Sequence, residues 1–178
     1  AVNYGTINGL KIAFLAYTMS SAKPPANNFG VGMYSQDYAK QQIAAAKQGG
    51  AQLIIVGMRW GAEYATDQNA TQTAEAQFLA DQGADIILGA GPHVAQPVQR
   101  LAKAGGGEAV VWYSLGNFLH AQLEPETGVN CLATMDIDAA SKKVTTVGCL
   151  PVYTHYEWPA ADEAKVNLLG RTNFKVVA

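Results

Sequence analysis

The sequence predicts an α/β domain built around a mostly parallel sheet. The apolar run at residues 52–57 is typical of a strand that is buried on both faces of such a sheet, and the run at 85–89 predicts the next strand. Predicted helices alternate with these runs and with a third run, 108–115, and this β-α-β-α-β order implies right-handed crossovers between parallel strands. With 178 residues, 49% hydrophobic content and 15% charge, the chain can bury one core. The composition excludes a disordered chain, a basic nucleic-acid-binding stripe and an apolar run long enough to cross a membrane.

Turn and cap signals delimit the individual elements. Asn8-Gly9 between two apolar runs is the strongest short-range hairpin signal, because both residues tolerate positive φ. Ser35 is expected to cap the first helix, and Gly83 is expected to end the second. In chain order the predictions are a hairpin of 2–7 and 10–17, a loop over 18–32, a helix over 36–48, a strand at 52–57, a helix over about 71–82, a strand at 85–89, a less regular helix around 97–104, a strand at 108–115 and a covering tail over 156–178.

The two cysteines lie on two strand-like runs that a short polar turn separates. Cys131 belongs to the run 129–137 and Cys149 to the run 144–150. A hairpin centred near Ala140 would place the cysteines directly opposite one another, within the Cα separation that a disulfide tolerates. We therefore expect a disulfide, which is typical of exported proteins, and two buried thiols in a cytosolic protein are the alternative.

Three short segments carry chemically useful side chains at the ends of predicted strands: residues 58–64, 89–98 and 113–118. Ligands of open α/β sheets bind outside the carboxyl ends of the strands, so these segments are expected to converge on one site. His93 is presented by a stiff loop of small residues, and its imidazole is a potential metal ligand or acid/base group. The alternative for His93 is a structural, hydrogen-bonded histidine.

The segment 58–64 supplies further candidates for catalysis and substrate binding. Arg59 can bind a carboxylate or a phosphate bidentately, with Glu63 as its partner or as a base. Trp60 and Tyr64 are candidate substrate contacts. The alternative is an Arg59–Glu63 ion pair with Trp60 as a packing lid.

Two more candidates follow the strand at 108–115. Asn117 is a potential ligand-facing amide, and the alternative is a turn residue that bonds its own backbone. His120 is close enough along the chain to face the same cleft, whereas His155 lies in an aromatic stretch where a structural role is expected. The sequence contains no phosphate-binding P-loop, no G-x-S-x-G elbow and no zinc-type set of Cys and His.

The order of these motifs resembles the CapA-type poly-γ-glutamate capsule biosynthesis family. The resemblance extends over roughly residues 8–155 and rests on Trp60-Gly61-x-Glu63-Tyr64, on Phe78-Leu79-Ala80, on the run 83–98 and on 113–118. It implies a calcineurin-like metallophosphatase fold, which is a four-layer α/β/β/α sandwich. It also implies an extracellular or cell-surface location.

The chain departs from the family pattern at two expected metal ligands. The family carries histidine immediately before Trp-Gly, where this chain has Arg59, and two residues before His93, where this chain has Gly91. A binuclear centre needs several ligands at fixed geometry, so two lost ligands and one added cation should weaken binding of a divalent transition metal severely. His93 is the one ligand that the resemblance still supplies.

The family's earlier motifs have no counterpart in this sequence. Residues 1–155 therefore resemble the C-terminal half of a CapA-like domain, and we expect a second polypeptide to supply the N-terminal half, because half a sandwich exposes a broad apolar face. Three functions remain open. They are a binding protein for an anionic polymer or a partner chain with a degenerate metal site, a metal-dependent phosphoesterase or polyglutamate-processing hydrolase, and a structural subunit of an extracellular assembly.

Overall fold

The computed structural model describes residues 2–21, 31–122, 124–157 and 172–178. Within these residues the chain forms two α-helices, a single 3-10 turn at Pro125–Thr127 and two sheets. In chain order the elements are β1 (Asn3–Ile7), β2 (Leu10–Thr18), α1 (Gln36–Gln48), β3 (Leu53–Arg59), α2 (Ala70–Gln82), β4 (Ile86–Ala90), β5 (Val98–Ala102), β6 (Glu108–Trp112), β7 (Val129–Asp138), β8 (Lys143–Glu157) and β9 (Thr172–Val177).

The larger sheet has the strand order β1-β2-β3-β4-β6-β5. Its central strands β2, β3, β4 and β6 are parallel, and β1 and β5 close the two edges as antiparallel strands. The N-terminal hairpin and the parallel pairing of the three predicted apolar strands are therefore confirmed. Parallel pairing brings the carboxyl ends of β3, β4 and β6 to one edge of the sheet, which positions the candidate site.

The two helices begin and end at polar caps and glycines. The Ser35 side chain accepts a hydrogen bond from the Tyr38 amide at the start of α1, as predicted. The second helix begins one residue earlier than predicted, because Asn69 and Gln72 form a reciprocal capping box. Gly83 ends α2 with a φ of 111°, a conformation that favours glycine.

The larger sheet is covered differently on its two faces. Ile54, Val56 and Met58 of β3 face the helices, where they pack in one core cluster with residues such as Ile43 and Leu79. The opposite face packs against the smaller sheet, which has the order β7-β8-β9. The described residues thus form helix, sheet and sheet layers of the predicted α/β/β/α sandwich. Both α-helices in the described part of the chain pack on the face of the larger sheet that points away from the smaller one.

The helix predicted around 97–104 is wrong. These residues form β5, which pairs antiparallel with β6, and the glycines at 105–107 lie in the turn that connects the two strands. Gly106 and Gly107 have positive φ values of 86° and 82° in that turn. The parallel pairing of β4 with β6 is retained, but an edge strand replaces the second crossover helix.

The structure joins Cys131 and Cys149 in a disulfide with a Cα separation of 5.4 Å. The predicted register is wrong, because Cys131 lies opposite Pro151 and Cys149 opposite Ala133. An irregularity between Asp136 and Ile137 shifts the ladder relative to a simple hairpin. The two cysteines are therefore diagonal neighbours instead of a directly opposed pair.

The segment predicted as a covering tail takes part in the smaller sheet where it is described. The end of β8 continues to Glu157, and β9 pairs with β8 from Thr172 onward. Residues 158–171 lie outside the described residues, as does most of the loop predicted over 18–32.

Candidate functional site

Backbone hydrogen bonds bring the three predicted segments together at the carboxyl edge of the larger sheet. The Trp60 amide donates to the Ala90 carbonyl at 2.9 Å, and the Leu115 amide donates to Gly89 at 3.0 Å. The Tyr64 amide donates to the Pro92 carbonyl at 2.8 Å. The strand register places Arg59 beside Ala90. The predicted convergence of 58–64, 89–98 and 113–118 is what the structure shows.

The centre of the site is a chain of side-chain contacts that we call the His93 network, made up of Glu63, Tyr64, His93, Asn117 and Gln122. His93 Nδ1 lies 2.8 Å from Asn117 Oδ1. The Asn117 amide nitrogen donates to Gln122 Oε1 at 2.5 Å, and Gln122 Nε2 donates to the Tyr64 hydroxyl at 3.2 Å. On the other side of the ring, His93 Nε2 is 3.9 Å from Glu63 Oε1. The His93 side chain is 31% exposed, so ligands can reach it.

The backbone of the network is strained at two positions. Among the described residues, four non-glycine residues have positive φ, and two of them, Asn8 and Lys142, lie in hairpin turns. The other two are Tyr64 at 63° and His93 at 66°, whose rings are 6.3 Å apart. Conformations of this kind concentrate at functional sites, where surrounding contacts hold them in place. The clustering supports a functional role for this loop pair.

Trp60 has a packing role instead of the predicted substrate contact. It is only 3% exposed, and its indole nitrogen donates to the Tyr113 carbonyl at 2.8 Å. Its ring stacks on Tyr113 with centroids 6.2 Å apart. Burial also raises the pKa of the Tyr113 hydroxyl, which donates to Gln99. Trp60 and Tyr113 form the floor beneath the site.

Gln96, which was not among the predicted site residues, holds the loop that follows Tyr64. Its side-chain nitrogen donates to the carbonyls of Ala65 and Asp67, both at 2.9 Å, and its oxygen accepts from Gln72 at 2.8 Å. Gln96 is 7% exposed, so these bonds satisfy a buried amide. A glutamine amid the small and apolar residues of 94–98 is the sequence signal that would have identified it.

The guanidinium of Arg59 bonds to Ser20 and not to Glu63. Arg59 Nη1 donates to Ser20 Oγ at 2.7 Å, and Glu63 lies beside His93 instead. The predicted alternative of an Arg59–Glu63 ion pair is therefore wrong. Ser20 was missed because it lies in a loop far from Arg59 in sequence.

The described residues contain no cluster of metal-binding side chains of their own. No group of three or more His, Cys, Asp or Glu among them is arranged to hold a metal. At position 91, a Cβ atom would lie 2.2 Å from the Trp60 carbonyl oxygen, and φ is 125°, so the backbone leaves no room for a ligand side chain. Arg59 places a cation at the other position where the family pattern has a ligand.

The two remaining histidines occupy different places. His120 Nδ1 accepts a hydrogen bond from the Gln122 amide at 3.2 Å, which places it next to the His93 network. His155 lies 3.9 Å from Glu157 within β8. Asn117 also lines an open cleft of about 450 Å³ between the two sheets, with Ala90, Phe118 and Cys131 on its walls.

Two stacked sheets, with the candidate site at the carboxyl edge of the parallel strands, define an α/β sandwich. The solved structure of Haemophilus influenzae NAD nucleotidase (NadN) shares the fold, with a TM-score of 0.56 and 16% sequence identity over 84% of this chain and 26% of that chain. The chain belongs to the bacterial capsule synthesis protein family PGA_cap, which matches residues 1–122.

Two relatives place the chain within that family more closely. It is 36% identical over 124 residues to the PGA biosynthesis protein CapA of Bacillus subtilis (strain 168), covering 68% of this chain and 31% of the relative. It is 35% identical over 125 residues to the capsule biosynthesis protein CapA of Bacillus anthracis, covering 67% and 29%. The match thus spans about a third of the length of these relatives. The described helices include none that is long and apolar enough to span a membrane.

Proposed function

We propose that this chain is a CapA-like capsule-biosynthesis protein that binds a carboxylate-rich polymer at the carboxyl edge of its larger sheet. The observation that carries the proposal is the exposed guanidinium of Arg59, held by Ser20 at this edge. A guanidinium matches carboxylates in shape and charge, and it is a poor neighbour for a metal cation. Asn117 and His93 supply further polar groups at the same edge.

A degenerate metal site is part of this proposal. It is supported by the cation at position 59 and by the close approach of Gly91 to the Trp60 carbonyl. With neither position able to donate a lone pair to a metal, the groups left in the described part of the site are suited to hydrogen bonding. An extracellular or cell-surface location is proposed as well, supported by the disulfide of Cys131 and Cys149.

Replacing Arg59 with alanine is expected to lower the affinity for poly-γ-glutamate about tenfold, because a charge-assisted hydrogen-bonded contact is lost. Binding by the unchanged protein is expected to weaken as salt rises. Fluorescence anisotropy with labelled polymer of defined length measures both effects. Lys40→Ala is the matched control, since Lys40 is an exposed cation on α1 and its removal changes the net charge equally. Equal losses in the two variants, or no binding by the unchanged protein, would overturn the proposal.

The second candidate is a metal-dependent phosphoesterase or polyglutamate-processing hydrolase that a second polypeptide completes. One observation favours it. An apolar cleft of about 560 Å³ opens between the two sheets, where Phe14 is 40% and Ile7 55% exposed. Such a surface is suited to a covering polypeptide.

Native mass spectrometry of the protein purified from its source without chelator separates the two candidates. A companion chain without metal is expected if the first candidate and the proposed second polypeptide both hold. A companion chain together with one or two transition metals that are lost on His93→Asn would favour the hydrolase and contradict the binding protein. A single chain at its own mass would contradict the proposal that a second polypeptide is bound.

A further inference from the structure

We infer that Gln122 is a positioning residue that determines which ring nitrogen of His93 is open to a ligand. The inference rests on the proposed function only in taking His93 as a group that contacts the ligand. Gln122 follows the motif at 113–118 and bridges two of the three site segments, because it contacts Asn117 and, 58 residues away in sequence, Tyr64. It was absent from the candidates that the sequence predicted.

The orientation of the two side-chain amides, Gln122 and Asn117, determines which nitrogen of His93 carries the proton. An amide oxygen only accepts hydrogen bonds and an amide nitrogen only donates them. Gln122 gives its nitrogen to the Tyr64 hydroxyl, so its oxygen faces Asn117. Asn117 therefore gives its nitrogen to Gln122, and its own oxygen faces His93 Nδ1 at 2.8 Å. That oxygen carries no proton, so His93 Nδ1 must be the donor.

The neutral form of His93 is then the Nδ1–H tautomer, with the lone pair on Nε2. This is the less stable tautomer of a histidine in water, so the network must hold it in place. Nε2 lies on the side of Glu63, at the exposed rim of the site. In this tautomer Nε2 can accept a hydrogen bond from a ligand without any rearrangement of the two amides. Gln122 thus acts on the reactive atom through Asn117, without touching the ligand.

Two variants of Gln122 separate polarity from packing. In Gln122→Glu the carboxylate can still accept from the Asn117 amide nitrogen, so the polarity toward His93 is retained. In Gln122→Met a side chain of similar size has no acceptor for that nitrogen, and the Asn117 amide is free to turn over. A residue that merely fills space would give the same result in both variants.

The test is the tautomer of neutral His93, read from long-range nitrogen–proton NMR correlations of the imidazole. The ratio of Nδ1–H to Nε2–H in the unchanged protein is expected to exceed that of free histidine about tenfold, which makes Nδ1–H the major form and corresponds to about one net hydrogen bond. The same excess is expected in Gln122→Glu, and it should fall several-fold in Gln122→Met. Amide spectra that overlay outside the site loops establish that both variants fold.

Dominance of the Nε2–H form in the unchanged protein, or an unaltered tautomer ratio in Gln122→Met, would overturn the inference. Polymer binding is measured separately on the same variants. Loss of the tautomer preference with intact Arg59-dependent binding would reject only the role of Gln122. A preserved preference in a protein that binds no polymer would reject only the proposed function.

Discussion

Gly91→His is expected to destabilise the protein by about 3 kcal/mol or more, because the new side chain meets backbone and requires a disfavoured φ. The Cβ would lie 2.2 Å from the Trp60 carbonyl oxygen, and φ at this position is 125°. The Trp60 amide also donates to the Ala90 carbonyl, so the contacted backbone cannot move without breaking a bond between β3 and β4. The histidine of the family pattern therefore cannot be restored by one substitution. Chemical denaturation followed by circular dichroism measures the loss.

Two controls isolate the cause of that loss. Gly106→His introduces the same side chain at a φ of 86°, where a Cβ atom would have nothing within 4 Å. Its loss of stability therefore measures the cost of the disfavoured φ alone. Arg59→His replaces an exposed side chain at the other expected ligand position and is expected to fold normally. A stable Gly91→His protein that binds a transition metal would contradict both this expectation and the proposed degenerate metal site.

Trp60→Ala is expected to cost about 3–5 kcal/mol, the usual range for removing a buried aromatic side chain. The change removes the stacking on Tyr113 and the hydrogen bond from the indole to the Tyr113 carbonyl. Because Trp60 and Tyr113 lie under the site, His93 signals in the NMR spectrum are expected to shift as well.

Trp60→Phe separates ring packing from the hydrogen bond. It keeps most of the buried apolar area but leaves the Tyr113 carbonyl without its indole donor, so a loss of about 1–3 kcal/mol is expected. The free energies of unfolding of both variants come from the same denaturation experiment. A loss below 1 kcal/mol for Trp60→Ala would show that the floor beneath the site is not built on this residue.

Most of the larger sheet could be predicted because its signals are local. The buried strands β3 and β4 are continuous apolar runs, and Ser35 and Gly83 mark helix boundaries within a few residues of the chain. The strand β5 could not be predicted in this way. The run 97–104 has apolar residues at spacings that fit a helix as well as a strand, and the open edge of β6 decides between them. That edge is a long-range partner, which no local pattern reveals.

The candidate site, too, could be predicted only where it depends on local signals and strand pairing. The strand-end rule correctly brought His93 and Asn117 together, because parallel pairing alone determines that edge. The substrate contact predicted for Trp60 was wrong. Alternate residues of a strand face the same side, so Trp60 points toward the helices like Val56 and Met58, and this spacing could have predicted its burial. Gln122 lies beyond the strand ends in an irregular segment. Its contact with Tyr64 depends on loop conformation and had no sequence signature.

The left-handed backbone of His93 and Tyr64 changes how the two residues should be mutated. Alanine scanning assumes that only the side chain is removed, but alanine tolerates a φ near 65° poorly, so His93→Ala would disturb the loop as well as delete the imidazole. Asparagine adopts this conformation more readily than most residues and is the better substitute at position 93. For Tyr64, phenylalanine removes the hydroxyl while leaving an equivalent backbone preference. With these replacements, a change in binding can be assigned to the missing chemical group.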